Sequence, residues 1–102
     1  MKILSDREGR NVRLTEERRR HILEHPEMRG QFSKVAETLR KPDSVLRSLH
    51  DANERHYYKF FEKTPVTRKF LLVAVEYKDE DAFVITSFFV NKLRGGKSLW
   101  PL

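Results

Sequence analysis

Residues 70–90 read FLLVAVEYKDEDAFVITSFFV, two apolar runs rich in β-branched and aromatic residues with the polar KDED between them. Runs of this length joined by a short polar turn predict an antiparallel β-hairpin. Neither run alternates cleanly between apolar and polar residues, so we expect both faces of the pair to be covered, in the middle of a sheet. Thr86 and Ser87 point to opposite faces of the second strand, so only one of these hydroxyls can belong to a given site.

Two helices are predicted between the N-terminus and this hairpin. Thr15 is a good N-cap, and the helix that follows runs from Glu16 to about residue 25, where a proline ends it. His21 and His25 are four residues apart within it, which places both imidazoles on one helix face. A second helix is predicted over residues 29–40, where apolar residues recur at helical spacing.

Shorter apolar stretches supply the rest of the predicted sheet. Residues 44–49 and 54–61 are typical of two strands separated by a polar turn. Residues 3–14 are typical of either a short hairpin or an extended segment that precedes the first helix. The predicted fold class is α+β, with two N-terminal helices packed on one face of a roughly four-stranded antiparallel sheet. A chain of 102 residues is expected to form a single domain, residues 1–102, around one core.

Charge and composition narrow the range of partners. The chain carries 21 Lys and Arg against 15 Asp and Glu, and this net charge of +6 favours nucleic acid but is equally compatible with plain solubility. There is no cysteine, and no apolar run has the length of a signal peptide or a membrane span, so we expect a cytoplasmic protein without a membrane partner. No nucleotide-binding or zinc-protease motif is present, and neither a metal nor a small-molecule cofactor is expected.

The histidines and the third predicted strand have two interpretations each. His21 and His25 suit proton transfer at neutral pH. Alternatively, His25 only caps the end of its helix and His21 is simply exposed. Arg55, Tyr57 and Lys59 share one face of a strand, an arrangement that can hold RNA bases and phosphates. The same arrangement also occurs on an ordinary solvated face with the tyrosine half-buried.

Lys92, Arg94 and Lys97 follow the strand that carries the two hydroxyls. They can stabilise a negatively charged phosphate near the end of that strand, or they can serve solubility alone. The acids show no pairing that suggests two-metal chemistry, so an enzyme built from this sequence works with His, Lys, Arg, Tyr and Ser or Thr. This set suits RNA cleavage in which the substrate's own 2′-OH attacks the adjacent phosphate.

Six short segments resemble, in order, those of one protein family. They are HILEHPEM at positions 21–28, TLRKPDSV at 38–45, YYKF at 57–60, KFLLVAV at 69–75, FVITSF at 83–88, and the Gly-Gly loop before Trp100. Together they resemble the phage barnase–EndoU–colicin–RelE-like nucleases. The resemblance implies N-terminal helices with a four-stranded antiparallel sheet, and metal-free RNA cleavage by members of which many are toxins.

The resemblance also implies roles for individual side chains. A helix histidine, His21 or His25, would move protons, and Thr86, in preference to Ser87, would contact the scissile phosphate. The strand pattern described above, and not the resemblance, adds Tyr57, which would stack or orient a base. The residues assigned to catalysis are therefore His21, His25, Thr86, Tyr57 and Lys59, and those assigned to RNA binding are Arg55, Ser87, Lys92, Arg94 and Lys97.

These features predict a small metal-independent endoribonuclease that acts on tRNA or mRNA. The expected setting is a phage or toxin–antitoxin toxin, with an antitoxin or immunity protein as a potential partner. The hypothesis requires one cleft on which five side chains converge: His21, His25, Tyr57, Lys59 and Thr86. The alternatives are a non-catalytic RNA-binding module of the same fold, and a protein-interaction domain whose exposed strand edge pairs with a partner.

Overall fold

The computed structural model describes residues 1–101. Within them the chain forms seven β-strands and two α-helices. In chain order the elements are β1 (Lys2–Ser5), β2 (Asn11–Leu14), α1 (Glu16–Ile22), α2 (Phe32–Arg40), β3 (Ser44–Arg47), β4 (Glu54–Phe60), β5 (Phe70–Lys78), β6 (Asp81–Val90) and β7 (Ser98–Trp100). A 3₁₀ turn, Pro26–Met28, lies between the helices. The strands form one sheet in the order β1-β2-β6-β5-β4-β3-β7.

The hairpin predicted at positions 70–90 is confirmed, and it lies in the middle of the sheet. β5 and β6 pair antiparallel along their length, and Asp79 has a positive φ of 56° in the turn between them. Residues 71–75 are all buried, so both faces of β5 are covered, as the lack of alternation indicated. A register shift leaves Ile85 as an extra residue in β6, which forms a β-bulge.

The predicted four-stranded antiparallel sheet is wrong in both strand number and strand direction. β1 and β2 form an N-terminal hairpin, and β2 joins β6 in parallel through Arg13 and Phe83. At the other edge of the sheet, β7 pairs antiparallel with β3. The sheet is therefore seven-stranded and mixed. The additional strands have only three or four residues, which is too few for a period-two pattern to stand out in the sequence.

A buried carboxylate joins the N-terminal hairpin to the central strands. Asp6 is 2% exposed and accepts hydrogen bonds from the backbone N–H groups of Glu8 and Arg10 and from the Tyr77 hydroxyl, each at 2.9 Å. Burial alone would raise the pKa of Asp6, but these hydrogen bonds outweigh burial and lower the pKa below its ordinary value. Asp6 is therefore ionised in the folded protein at neutral pH and ties the β1–β2 turn to β5.

Both helices are shorter than predicted. α1 ends at Ile22, because the N–H groups of Glu24 and His25 bond back three residues rather than four. α2 begins at Phe32 rather than at residue 29, because Gly30 has a positive φ of 76°. His21 and His25 therefore do not share a helix face, since His25 lies in the loop before the 3₁₀ turn. Within residues 1–101 no helix has the length and apolar character needed to cross a membrane.

The two faces of the central strands have different surroundings. α2 packs on β4 and β5, and its Val35 and Leu39 belong to one buried cluster with Tyr57 and Val73. We call this the core face. The opposite face, which we call the open face, carries three rows of residues that the register aligns across β4, β5 and β6: His56–Ala74–Thr86, Tyr58–Leu72–Phe88 and Phe60–Phe70–Val90.

Candidate functional site

The open face carries a cleft of about 560 Å³. One register row, Tyr58–Leu72–Phe88, contributes to its lining, and the first two of these residues are almost completely buried. β2 pairs with β6 only near the beginning of β6, which leaves the second half of that strand free to contact the loop after α1. That loop forms one wall of the cleft, and the segment after β6 forms another.

His25 and Glu27 belong to the wall formed by the loop after α1. The His25 ring stacks on the Phe88 ring, with the ring centroids 4.9 Å apart and the planes at 27°. His25 Nδ1 lies 4.0 Å from Glu27 Oε2, and the Glu27 side chain is only 13% exposed. Pro26 separates the two residues and restricts the backbone between them. The local sequence His-Pro-Glu thus places an imidazole beside a carboxylate at the cleft.

His56 faces the same cleft from β4. Its Nε2 lies 2.6 Å from Glu54 Oε2, and its Nδ1 lies 3.4 Å from the Arg94 carbonyl oxygen. Side chains two residues apart on a strand share a face, so the regular geometry of β4 is enough to place Glu54 beside His56. Both ring nitrogens thus have a partner, and the longer contact, at Nδ1, is the one that a ligand can replace. Two imidazoles therefore line the cleft on different walls, each beside a carboxylate, of which Glu27 also lines the cleft and Glu54 does not.

Three cations line the cleft, and all are exposed: Arg68, Lys92 and Arg94. Within residues 1–101, none of them forms an ion pair with a carboxylate. Cations that are gathered at a cleft and not neutralised by acids raise the local concentration of anions. The cleft is therefore suited to an anionic ligand.

The Tyr58 hydroxyl fixes the backbone of one of these cations. It donates a hydrogen bond to the Arg94 carbonyl oxygen at 2.5 Å and accepts one from the Arg94 N–H at 3.1 Å. Burial raises the pKa of Tyr58, so the hydroxyl keeps its proton at neutral pH. Gly95 follows with φ +154°, and a Cβ there would lie 2.9 Å from the Leu46 Cβ. Only glycine allows the chain to approach β3 this closely.

Four of the site residues predicted from the sequence lie on this side of the sheet: His25, Thr86, Lys92 and Arg94. Thr86 is half-buried and lies in the same register row as His56, with Ala74 between them. Ser87 points to the core face, is completely buried, and donates its hydroxyl hydrogen to the Leu72 carbonyl oxygen at 2.7 Å. Of the two adjacent hydroxyls, Thr86 is therefore the one on the face of the cleft.

Three other predicted site residues lie on the core face instead. Tyr57 is 1% exposed, and its hydroxyl is 2.5 Å from the Tyr77 hydroxyl, so no ring surface is left for a base. Lys59 donates to the Lys41 carbonyl oxygen at 2.9 Å, and the Arg55 guanidinium lies over the Tyr77 ring at 4.6 Å. The expected convergence of five side chains on one cleft is therefore wrong. The adjacent tyrosines of β4 do not indicate which strand face meets the helices.

His21 and Lys97 also lie apart from the cleft. His21 Nδ1 is 3.7 Å from Glu24 Oε1, and the imidazole is 44% exposed. Lys97 has an exposed side chain, and its backbone carbonyl accepts a hydrogen bond from the Arg47 N–H at 2.9 Å. Neither side chain belongs to the lining of the cleft.

The residues best able to hold a metal ion are three carboxylates near the beginning of β4. Asp51, Glu54 and Glu76 each place an oxygen within 4.8 Å of the others. Burial, together with a hydrogen bond to Asp51, raises the pKa of Glu76. One of the three, Glu54, already contacts His56. Acidic groups of this kind are common on protein surfaces without any ion.

Four residues at or beside the cleft have a signal in the sequence, although the predicted site did not include them. Glu54, His56 and Tyr58 occupy alternate positions of one strand, so an acid, an imidazole and a phenol share a face. That face is the one opposite to the Arg55/Tyr57/Lys59 face. Glu27 belongs to the HPEM segment, where the proline between it and His25 favours a tight turn.

Imidazoles beside carboxylates, together with exposed cations, are groups that bind a phosphodiester and move the protons its cleavage requires. The structure thus points to the nuclease class of proteins. Comparison with family models specifies the family, because residues 1–101 match the model described as phage-Barnase-EndoU-ColicinE5/D-RelE like nuclease2 (PBECR2). The chain belongs to this family, and the resemblance found in the sequence is confirmed. No curated protein and no solved structure gave a significant match.

Proposed function

We propose that this protein is an endoribonuclease in which the 2′-OH of the substrate attacks the adjacent phosphate. The observation that supports the proposal is the presence of two imidazoles on one cleft, each beside a carboxylate: His25 beside Glu27, and His56 beside Glu54. The reaction needs one group that removes a proton and another that supplies one. Imidazole does both near neutral pH, which makes a metal-independent mechanism chemically sufficient.

In the proposed mechanism, one imidazole takes the proton of the 2′-OH as the 2′-oxygen forms a bond to phosphorus. The bond between phosphorus and the 5′-oxygen breaks, and the other imidazole, initially protonated, gives its proton to the leaving oxygen. The products are a 2′,3′-cyclic phosphate and a 5′-hydroxyl. Glu27 and Glu54 act as positioning residues, because each lies beside an imidazole and favours one ring orientation.

Negative charge builds on the phosphate oxygens as the 2′-oxygen attacks. Arg94 and Lys92 are exposed on the cleft and are assigned to this charge. The Tyr58 hydroxyl holds the Arg94 carbonyl oxygen and N–H, so the backbone from which the guanidinium extends is fixed before the substrate binds. Thr86 is assigned a hydrogen bond to the same phosphate. Cations and donors that are already in place lower the barrier because they need no reorganisation during the reaction.

The proposal extends to the biological setting, where the family description names phage nucleases. A toxin that acts on cytoplasmic tRNA or mRNA, and that an antitoxin or immunity protein restrains, is consistent with a small nuclease of this kind. The net charge of +6 favours association with RNA and with an acidic partner. We expect expression of the chain to arrest bacterial growth and His25→Ala to relieve the arrest. Unimpaired growth with the wild type would contradict the toxin role.

The proposed activity is tested by incubating the purified protein with total RNA in excess EDTA. We expect cleavage by the wild type and a loss of about 10²- to 10⁴-fold for His25→Ala and for His56→Ala, the range typical of general acid–base groups. His21→Ala is the matched control, because His21 is similarly exposed but lies outside the cleft. Full activity of both cleft variants would contradict the proposal. RNA binding without cleavage by the wild type would leave a non-catalytic RNA-binding module.

A further inference from the structure

An aromatic ring lies exposed beside the cleft, at the end of β4. The Phe60 side chain is 44% exposed. Its ring packs edge-to-face on Phe70 of β5, with centroids 5.6 Å apart and an angle of 68° between the planes. This contact holds the Phe60 ring in place and leaves part of its surface to solvent.

The exposed ring continues the surface of the cleft. Phe60, Phe70 and Val90 form the register row next to the row that contains Tyr58, and Val90 itself belongs to the cleft lining. Neighbouring rows on one face are two residues apart along each strand, which corresponds to about 7 Å. This separation is on the scale of one nucleotide of extended RNA.

Two of the exposed cations lie at the same end of the sheet as this ring. Arg68 comes two residues before Phe70 at the start of β5, and Lys92 comes two residues after Val90 at the end of β6. Both side chains line the cleft. An aromatic ring flanked by cations is the combination with which proteins bind single-stranded nucleic acid, the ring stacking on a base and the cations contacting phosphates.

We propose that Phe60 is a stacking subsite for the nucleobase next to the nucleotide held in the cleft, and that the substrate is therefore single-stranded RNA. This inference rests on the proposed function, because it takes the cleft as the place where the phosphate is bound. In a duplex, both faces of each base are covered by neighbouring bases, so no base is free to stack on the Phe60 ring. In a single strand, a base can leave its neighbours and cover the exposed ring. Arg68 and Lys92 then bind the phosphates on either side of the stacked base.

Binding of an uncleavable ligand tests the subsite separately from catalysis. The ligand is a fully 2′-O-methylated single-stranded oligonucleotide, and the comparison ligands carry one abasic nucleotide at successive positions. We expect Phe60→Ala to weaken binding of the intact ligand by about 5- to 20-fold, within the range measured for stacking of one base on an aromatic side chain. Phe60→Trp should retain the affinity and Phe60→Leu should not, since leucine is apolar but cannot stack.

The abasic ligands identify the base that contacts the ring. At one position the missing base should weaken wild-type binding by a similar factor and should remove the difference between wild type and Phe60→Ala. Ile3→Ala is the control for an exposed apolar side chain, because Ile3 is 48% exposed on the edge strand β1. It should bind every ligand as the wild type does. A duplex of the same sequence should bind wild type and Phe60→Ala equally.

Equal affinity of wild type and Phe60→Ala for the single strand would overturn the subsite. If Phe60→Ala also changed self-association in sedimentation experiments, the ring would be assigned to a protein contact instead. Absence of RNA cleavage together with a positive stacking result would instead contradict the proposed enzyme and leave the subsite in place.

Discussion

The Tyr58 hydroxyl connects the stability of the fold to the geometry of the cleft, and Tyr58→Phe tests that connection. The substitution removes one donor and one acceptor, because the hydroxyl bonds both the carbonyl oxygen and the N–H of Arg94. A hydrogen bond contributes about 0.5–1.5 kcal/mol to stability, so the free energy of unfolding should fall by about 1–3 kcal/mol. In a domain of this size, each kcal/mol lowers Tm by about 4–8 °C.

The same substitution should reduce the rate of RNA cleavage. Without the hydroxyl, the Arg94 backbone keeps only the 3.4 Å contact of its carbonyl oxygen with His56 Nδ1 on β4, so the backbone that carries the guanidinium is held less firmly. Small displacements of positioning groups reduce rates by up to about 10²-fold, so we expect kcat to fall by about 10- to 100-fold. KM should change less, since the remaining cations still attract RNA.

Tyr57→Phe is a matched control for Tyr58→Phe. Tyr57 is the preceding residue of β4, is equally buried, and loses one hydroxyl contact, to Tyr77, on the opposite face of the sheet. It should also be destabilised, by about 1 kcal/mol, yet should cleave RNA at the wild-type rate. Thermal unfolding and single-turnover cleavage, measured well below both Tm values, separate the two effects. Equal activity of the two variants would refute the positioning role of Tyr58, and a lower rate for Tyr57→Phe alone would restore a site role to Tyr57.

Three further outcomes are expected. Asp6→Asn should lower stability at pH 7 by about 2 kcal/mol. The folded-state pKa of Asp6 is depressed, so the wild type should lose this stability as the pH falls below about 4, whereas the variant should lose less in acid denaturation curves. Glu54→Gln should lower kcat more than it raises KM, because it removes the carboxylate beside His56, and an unchanged kcat would exclude the positioning role. Arg94→Gln should reduce the salt dependence of single-strand binding by a slope of about 0.7, and an unchanged slope would show that Arg94 contacts no phosphate.

The central hairpin is the part of the fold that the sequence predicts best. Residues 70–90 combine uninterrupted apolar runs with one polar turn, and both strands and their pairing follow from that pattern. Strands β1, β2 and β7 do not follow from it, because segments of three or four residues are too short to show a strand pattern of their own. Helix ends depend on local backbone geometry, such as the positive φ of Gly30, which periodicity does not reveal.

For the candidate site, residue types were easier to predict than their arrangement. His25, Thr86, Lys92 and Arg94 are indicated by chemistry and by resemblance, and the fold places all four on the open face. The sequence does not show which face of β4 packs against the helices, because tyrosines occupy both faces at positions 57 and 58. In the structure α2 packs on the face that carries Tyr57, so His56, on the other face, lies at the cleft. The sequence places His56 on one strand face with Glu54 and Tyr58, and only the tertiary structure shows that this face carries the cleft.

The most direct test of the proposed reaction is to determine the ends of the RNA fragments and their dependence on the 2′-OH. A defined single-stranded RNA is incubated in EDTA with wild type and with His25→Ala, beside copies in which single nucleotides carry 2′-O-methyl groups. We expect fragments that end in 2′,3′-cyclic phosphate and 5′-hydroxyl, and loss of each cut when the nucleotide on its 5′ side is methylated. Cleavage of the methylated copies, or fragments with 5′-phosphate and 3′-hydroxyl ends, would contradict attack by the 2′-OH.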